Sequence, residues 1–123
     1  MRKRILIVDD SPSVRQVQVF VLSGAGYEVV EAVDGRDAVT RLAEGSFHLV
    51  LTDLNMPNLD GLGLLKKIRE YGPTKKVPFI ILTGQKDNVL IQKAASLGVN
   101  NYLTKPFTPD SLRKAIEAIV GRL

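Results

Sequence analysis

Arg4-Ile5-Leu6-Ile7-Val8-Asp9-Asp10-Ser11-Pro12 is the stretch that decides the fold. A short apolar run without alternation is what a strand buried on both faces requires. It stops at two carboxylates, and Ser11-Pro12 then opens a helix. A serine caps the first free amides, and a proline in the first turn gives up no hydrogen bond there. Strand, acidic turn and helix start make the first half of a β–α–β unit. The same stretch excludes two other readings. Met1-Arg2-Lys3-Arg4 imitates the head of a signal peptide, but the apolar run that follows is too short for its core. No stretch approaches the roughly 20 apolar residues of a membrane span, so no membrane insertion is expected.

Outward from that stretch the pattern repeats. The first helix ends near Gly24 and Gly26. Strands are expected at Glu28–Val33, Leu49–Thr52, Phe79–Leu82 and Asn101–Thr104. Between them lie amphipathic helices: one opened by Asp34-Gly35 with Ala38, Val39, Leu42 and Ala43, one over Gly61–Tyr71 with Leu64, Leu65 and Ile68 inward, and one over Lys86–Leu97. Thr108-Pro109 caps a last helix carrying Leu112, Ile116, Ile119 and Val120 on one face. Strands alternating with helices imply a parallel sheet covered on both sides. Ile5–Val8, Leu49–Leu51 and Phe79–Leu82 are wholly apolar and read as central, whereas Glu28 and Glu31, and Asn100, Asn101 and Thr104, mark edges. The strand order is then 2-1-3-4-5, an α/β, flavodoxin-like doubly wound sheet with five helices. All 123 residues are read as one domain, with no repeat and no linker.

The formal charge is +4, and there is no cysteine. The second fact rules out disulfides and thiolate metal sites and fits a cytoplasmic protein. The basic residues are scattered, without aromatic interleaving or a reading helix, so they read as a solvated surface and no direct nucleic-acid contact is expected.

In sheets of this order ligands bind at the carboxyl ends of the strands, near the switch point between strands one and three. The residues just past the strands are Asp9 and Asp10, Asp53, Thr83 and Lys105. Three carboxylates in one crevice repel one another and call for a cation, and an all-oxygen donor set without histidine or cysteine points to Mg²⁺. A metal and a lysine beside a carboxylate can neutralise an incoming phosphoryl group, and an aspartate nucleophile would yield an acyl phosphate. Each residue also has a plainer reading: Asp10 as a capping aid, Asp53 as a turn residue, Thr83 as a strand end, Lys105 as a surface lysine. It is their convergence that argues for a site. Asp34 reads as a helix cap, and His48, the only histidine, lies at the far end of its strand.

Four stretches carry a family resemblance: Ile7-Val8-Asp9-Asp10-Ser11, Leu51-Thr52-Asp53-Leu54-Asn55-Met56-Pro57-Asn58-Leu59-Asp60-Gly61, Ile81-Leu82-Thr83-Gly84 and Tyr102-Leu103-Thr104-Lys105-Pro106-Phe107. In this order and spacing they resemble the receiver domain of two-component response regulators, especially the stand-alone chemotaxis (CheY-like) type, over essentially the whole chain. The resemblance implies that Asp53 is the phosphoacceptor. Asp10, Asp53 and the backbone carbonyl of Asn55 would bind Mg²⁺ directly, and Asp9 largely through water. Lys105 and Thr83 would contact the phosphoryl oxygens, and the Lys105–Pro106 bond would be cis. Tyr102 would be a rotamer switch coupled to Thr83, with Gly84 leaving room for it. The donor would be a phosphohistidine on a sensor histidine kinase, and the chain would be a cytoplasmic monomer that catalyses only its own phosphorylation and dephosphorylation. The output face would be the fourth helix, fifth strand and fifth helix, where Ile91 and Ala95 form an apolar pair beside the core stripe of Leu90, Ala94 and Leu97. Motor-binding chemotaxis members tend to carry a lysine pair where this chain has Lys86-Asp87-Asn88, and many are acidic, so the flagellar motor is not assigned as target.

Other functions fit less well. A flavin carrier of this fold would want a hydroxyl- and glycine-rich phosphate loop where Asp9-Asp10 stands. An aspartate-nucleophile phosphatase would want its acids on one strand and a cap insertion. An interaction module without phosphorylation would not need the acidic set. The start at Met1 is expected to be a natural N-terminus. The stop at Gly121-Arg122-Leu123 fits either a stand-alone protein or a receiver cut from a longer regulator with a DNA-binding or catalytic output domain.

Overall fold

The computed structural model describes residues 2–84 and 88–121. Its elements run β1 (Arg4–Val8), α1 (Pro12–Gly24), β2 (Glu28–Ala32), α2 (Gly35–Glu44), β3 (Leu49–Asp53), α3 (Gly61–Glu70), β4 (Phe79–Thr83), α4 (Asn88–Ser96), β5 (Asn101–Thr104) and α5 (Pro109–Val120). All strand pairs are parallel, in the order β2-β1-β3-β4-β5. The expected fold class is therefore the observed one, and the edges fall on the two strands that carry polar residues.

Because side chains alternate along a strand, each central strand feeds two cores. Leu6, Val8, Val50, Phe79 and Ile81 pack with Ala38, Leu42, Leu65, Ile68 and Ala94 of α2, α3 and α4. Ile5, Ile7, Leu49, Leu51, Ile80 and Leu82 pack with Val21, Leu22, Leu112 and Ile116 of α1 and α5. Ser11, Asp34 and Thr108 cap their helices as expected, Asp60 also caps α3, and Thr108 and Ser111 cap each other's amides reciprocally.

Several expectations need correction. Of the apolar side chains named for α2, Ala38 and Leu42 are buried, while Val39 and Ala43 are exposed. Strands β3 and β4 extend one residue further than expected and β2 ends one residue earlier, since backbone pairing continues through Asp53 with Leu82 and Thr83 with Thr104. The described part of α4 begins at Asn88; the expected start at Lys86, and Asp87, lie outside the described residues.

Arg69, at the end of α3, is a clamp that the hydrophobic pattern does not reveal. Its guanidinium donates to the carbonyls of Val77 (2.7 Å), Gly98 (2.8 Å) and Lys75 (3.3 Å) and to Asn100 Oδ1 (3.2 Å). The α3–β4 and α4–β5 connections, at the amino end of the sheet, are thus tied to one side chain. Arg69→Met is expected to lower stability by about 1 kcal/mol, because it leaves the part-buried Val77 carbonyl unmet, while water can replace the guanidinium at the exposed Lys75 and Gly98 carbonyls. Urea denaturation checks this, and an unchanged midpoint would show the clamp to be dispensable.

Candidate functional site

The predicted residues all stand at the carboxyl end of the sheet, and Asp9, Asp10, Asp53 and Lys105 converge there. Asp9 and Asp10 follow β1, Asp53 ends β3, Thr83 ends β4 and Lys105 follows β5. The carboxylate oxygens of Asp9, Asp10 and Asp53 lie within 4.8 Å of one another. Lys105 Nζ donates to Asp53 Oδ1 at 2.9 Å, and the amide of Leu54 donates to the same oxygen at 2.9 Å. Asp9 is fully buried, Asp53 nearly so, and Asp10 exposed. Asn55 is the second residue of the loop after β3. The close approach of α3 fixes that loop: a Cβ on Gly61 would lie 2.7 Å from the Asp53 carbonyl oxygen. The Lys105–Pro106 peptide is cis.

The donor chemistry fits a small hard divalent cation. The acids supply only oxygen, they converge from two strands, and the mutual repulsion of like charges this close favours a bound cation. Burial pushes the Asp9 carboxyl up from its ordinary 3.8. The Ser11 amide pulls it down, Asp53 pushes it up, Lys105 pulls it down, and Asp10 pushes it up. An acid whose folded pKa lies above its unfolded one is harder to ionise in the fold. Its contribution to stability is therefore full below about pH 3.8 and is lost as pH rises through the folded value. Without divalent cation, Asp9→Asn is expected to melt higher than wild type at neutral pH, with the advantage vanishing below pH 3.8. Thermal melts across pH measure this, and a variant that melts lower at neutral pH would contradict it.

Thr83 is buried, and Tyr102 is 43% exposed. Both line a cavity of about 20 Å³ with Ile81, Leu90, Ile91 and Ala94. Ile91 is half-buried there and Ala95 is exposed, so the expected apolar pair is split between the cavity and the surface; Val89 is the more exposed apolar residue of α4. Among the described residues a Cβ on Gly84 would meet nothing within 4 Å, so packing does not demand a glycine there.

His48 lies outside the crevice, as expected. Its Nδ1 accepts the Arg4 amide at 2.9 Å and its own amide donates to the Arg4 carbonyl at 2.8 Å, joining β1 to the start of β3. Asp34 caps α2 through the Asp37 amide, as expected, and also accepts the side-chain amide of Asn58 at 3.0 Å; these donors hold its carboxyl below 3.8. Two residues near the crevice escaped the sequence reading. Arg15 donates to the Asp9 carbonyl at 2.7 Å and to Glu31 at 2.9 Å, and Gln18 donates to Asp9 Oδ2 at 3.3 Å. The available signal was a glutamine standing on the inward stripe of α1.

A parallel sheet of this order, with an acidic crevice and a lysine at its carboxyl end, defines the receiver class of signalling modules. Residues 5–117 match the response regulator receiver domain, and the chain belongs to that family. It is 44% identical over 121 residues to the probable chemotaxis protein CheY of Rhizobium etli, covering 98% of this chain and 94% of that one. It is 39% identical to chemotaxis protein CheY1 of Helicobacter pylori, covering 96% and 97%. The structure of Vibrio cholerae CheY4 superimposes with a TM-score of 0.93 at 34% identity, covering 97% of this chain and 99% of that one. The receiver domain of the sensor histidine kinase PA1611 of Pseudomonas aeruginosa, described with a magnesium ion coordinated in its active-site cleft, gives 0.89 at 30% identity, covering 98% and 99%. At family level the chain is a component of two-component signalling alongside sensor histidine kinases, not a classical enzyme. Among the described residues no helix is long and apolar enough to cross a membrane.

Proposed function

We propose that the chain is a phosphorylation switch in which Asp53 accepts a phosphoryl group from a phosphohistidine of a sensor histidine kinase. One observation carries this reading: Asp53 lies 2.9 Å from Lys105 Nζ, at the point where three carboxylates converge. An Asp53 carboxylate oxygen attacks phosphorus, and a P–O bond forms as the P–N bond to the donor imidazole breaks. The electron pair of the broken bond stays on the imidazole nitrogen. The product is an acyl phosphate, and hydrolysis of that bond returns the free carboxylate, so the chain catalyses only its own modification and its reversal. Lys105, already beside the nucleophile, turns to the phosphoryl oxygens, and the buried walls keep its charge effective. Asp10, Asp53 and the backbone carbonyl of Asn55 would hold Mg²⁺, with Asp9 acting through water. When bound, the ion supplies positive charge against both the carboxylates and the phosphoryl oxygens.

The output route in this reading runs through Thr83 to Tyr102 and the face of α4, β5 and α5. Phosphorylation adds about −1.5 to −2 charges and new acceptor oxygens. The Thr83 hydroxyl moves toward them, and the Tyr102 ring moves toward the space it leaves. A cavity of about 20 Å³ cannot take the ring unless Leu90 and Ile91 shift as well, so the change is passed to α4. Moving a population from 1:99 to 99:1 takes about 5.5 kcal/mol, and one hydrogen bond to a charged group gives about 1.5–3 kcal/mol. The Lys105 contact and the repacked ring must contribute the rest. A Thr83→Ala protein is expected to be phosphorylated normally but to gain far less partner affinity on phosphorylation than wild type. If Thr83→Ala and Tyr102→Ala both keep the full gain, the output leaves by another face. The chain is taken to act in the cytoplasm as a monomer, and its target is not assigned.

A further inference from the structure

We propose that Gln18 is a positioning residue of the cation site, whose buried side-chain amide orients the Asp9 carboxylate for Mg²⁺; the inference rests on the Mg²⁺ reading above. On α1, Val14, Gln18, Val21 and Leu22 share the sheet-facing stripe, at spacings of four, seven and eight. An apolar side chain is what that stripe calls for. Gln18 is instead 1% exposed, and its Oε1 is buried without a hydrogen-bond partner among the described residues. An unmet buried acceptor works against folding, and an apolar residue of similar volume avoids it. The bond this side chain does make is from Nε2 to Asp9 Oδ2, at 3.3 Å.

That bond completes a grip on Asp9. The Ser11 amide donates to Oδ1 at 2.9 Å, Gln18 takes Oδ2, and Arg15 holds the Asp9 carbonyl at 2.7 Å. With one donor on each oxygen the carboxylate cannot turn about its last bond. Each oxygen still has a lone pair to offer the water shell of a cation. Partners that orient a metal-facing group in this way typically change affinity about 10–100-fold when removed. A polar side chain that burdens the core while steadying the most buried acid of the crevice acts on the site, not on the fold.

The test titrates Mg²⁺ alone into ¹⁵N-labelled wild type and Gln18→Met, reading Kd from amide shifts, and compares thermal melts of both without divalent cation. Methionine keeps the length of the chain and removes both the donor and the unmet acceptor. Mg²⁺ binding is expected to weaken about tenfold, with Tm unchanged or raised. The Gln18 side-chain signal of wild type, identified by its absence from the variant, is expected to move with the same Kd as the backbone amides of the crevice. A Kd within threefold of wild type, a Tm that falls together with affinity, or a Gln18 signal indifferent to Mg²⁺ would overturn the assignment. Failure of wild type to bind Mg²⁺, or binding that Asp10→Ala leaves intact, would remove the cation reading itself and is distinguishable from the failures above.

Discussion

An Asp53→Asn protein is expected to take up no phosphoryl label, whether the donor is a phosphorylated sensor kinase or a small phosphoramidate. Asparagine has the same shape and still accepts the Leu54 amide that Asp53 Oδ1 accepts at 2.9 Å. The loss is chemical: the amide has no anionic oxygen to attack phosphorus and no charge to pair with Lys105. The fold should persist, because that ion pair opens to solvent through the lysine and such pairs contribute about 1 kcal/mol or less. In wild type the label should be an acyl phosphate, discharged by hydroxylamine or alkali. Ser11 and Thr83 carry hydroxyls at this end of the sheet, but Ser11 caps α1 and Thr83 is buried at the end of β4. A stable label on either, or label retained by Asp53→Asn, would break the proposed mechanism.

Asp10→Ala should be nearly as severe, for a different reason. Asp10 is exposed at the mouth of the crevice, and its oxygens converge with those of Asp9 and Asp53 to within 4.8 Å. Removing it takes away a proposed cation ligand while relieving like-charge repulsion, so the cation-free protein should melt no lower than wild type. Mg²⁺ affinity should fall by more than the about 10–100-fold that follows loss of an outer hydrogen-bond partner, and phosphorylation in Mg²⁺ buffer should be lost. Undiminished phosphorylation of Asp10→Ala would sink the metal assignment.

Central strands announce themselves because burial on both faces forces unbroken apolar runs, and Ile5–Val8 or Phe79–Leu82 could be little else. The grouping of Asp9, Asp10, Asp53 and Lys105 was legible because the fold rule places ligands at strand ends, where these scattered residues meet. Strand limits were less legible: Asp53 and Thr83 are polar and read as loop, yet their backbones still pair. Arg69, Asn58 and Gln18 were missed for a shared reason. Each acts through a contact far along the chain, with Gly98, Asp34 and Asp9 respectively, and periodicity reports only which face a residue occupies. Gln18 misled in a further way, since a glutamine ordinarily reads as solvent-facing.

The alternation that splits the core in two also sorts the crevice by odd and even position. Asp9 and Asp53 continue the series of Ile5, Ile7, Leu49 and Leu51 toward α1 and α5, whereas Thr83 continues that of Phe79 and Ile81 toward α4. In the proposed mechanism the sheet therefore works as a partition, with the reactive acid mounted on one side and the relay hydroxyl on the other. The chemistry can be retuned through α1 and the output rewritten through α4 without either disturbing the other's packing. The arrangement has one point of fragility. Deleting a single residue within β4 would rotate Thr83 to the opposite side of the wall, and a protein that still charged Asp53 would be left mute.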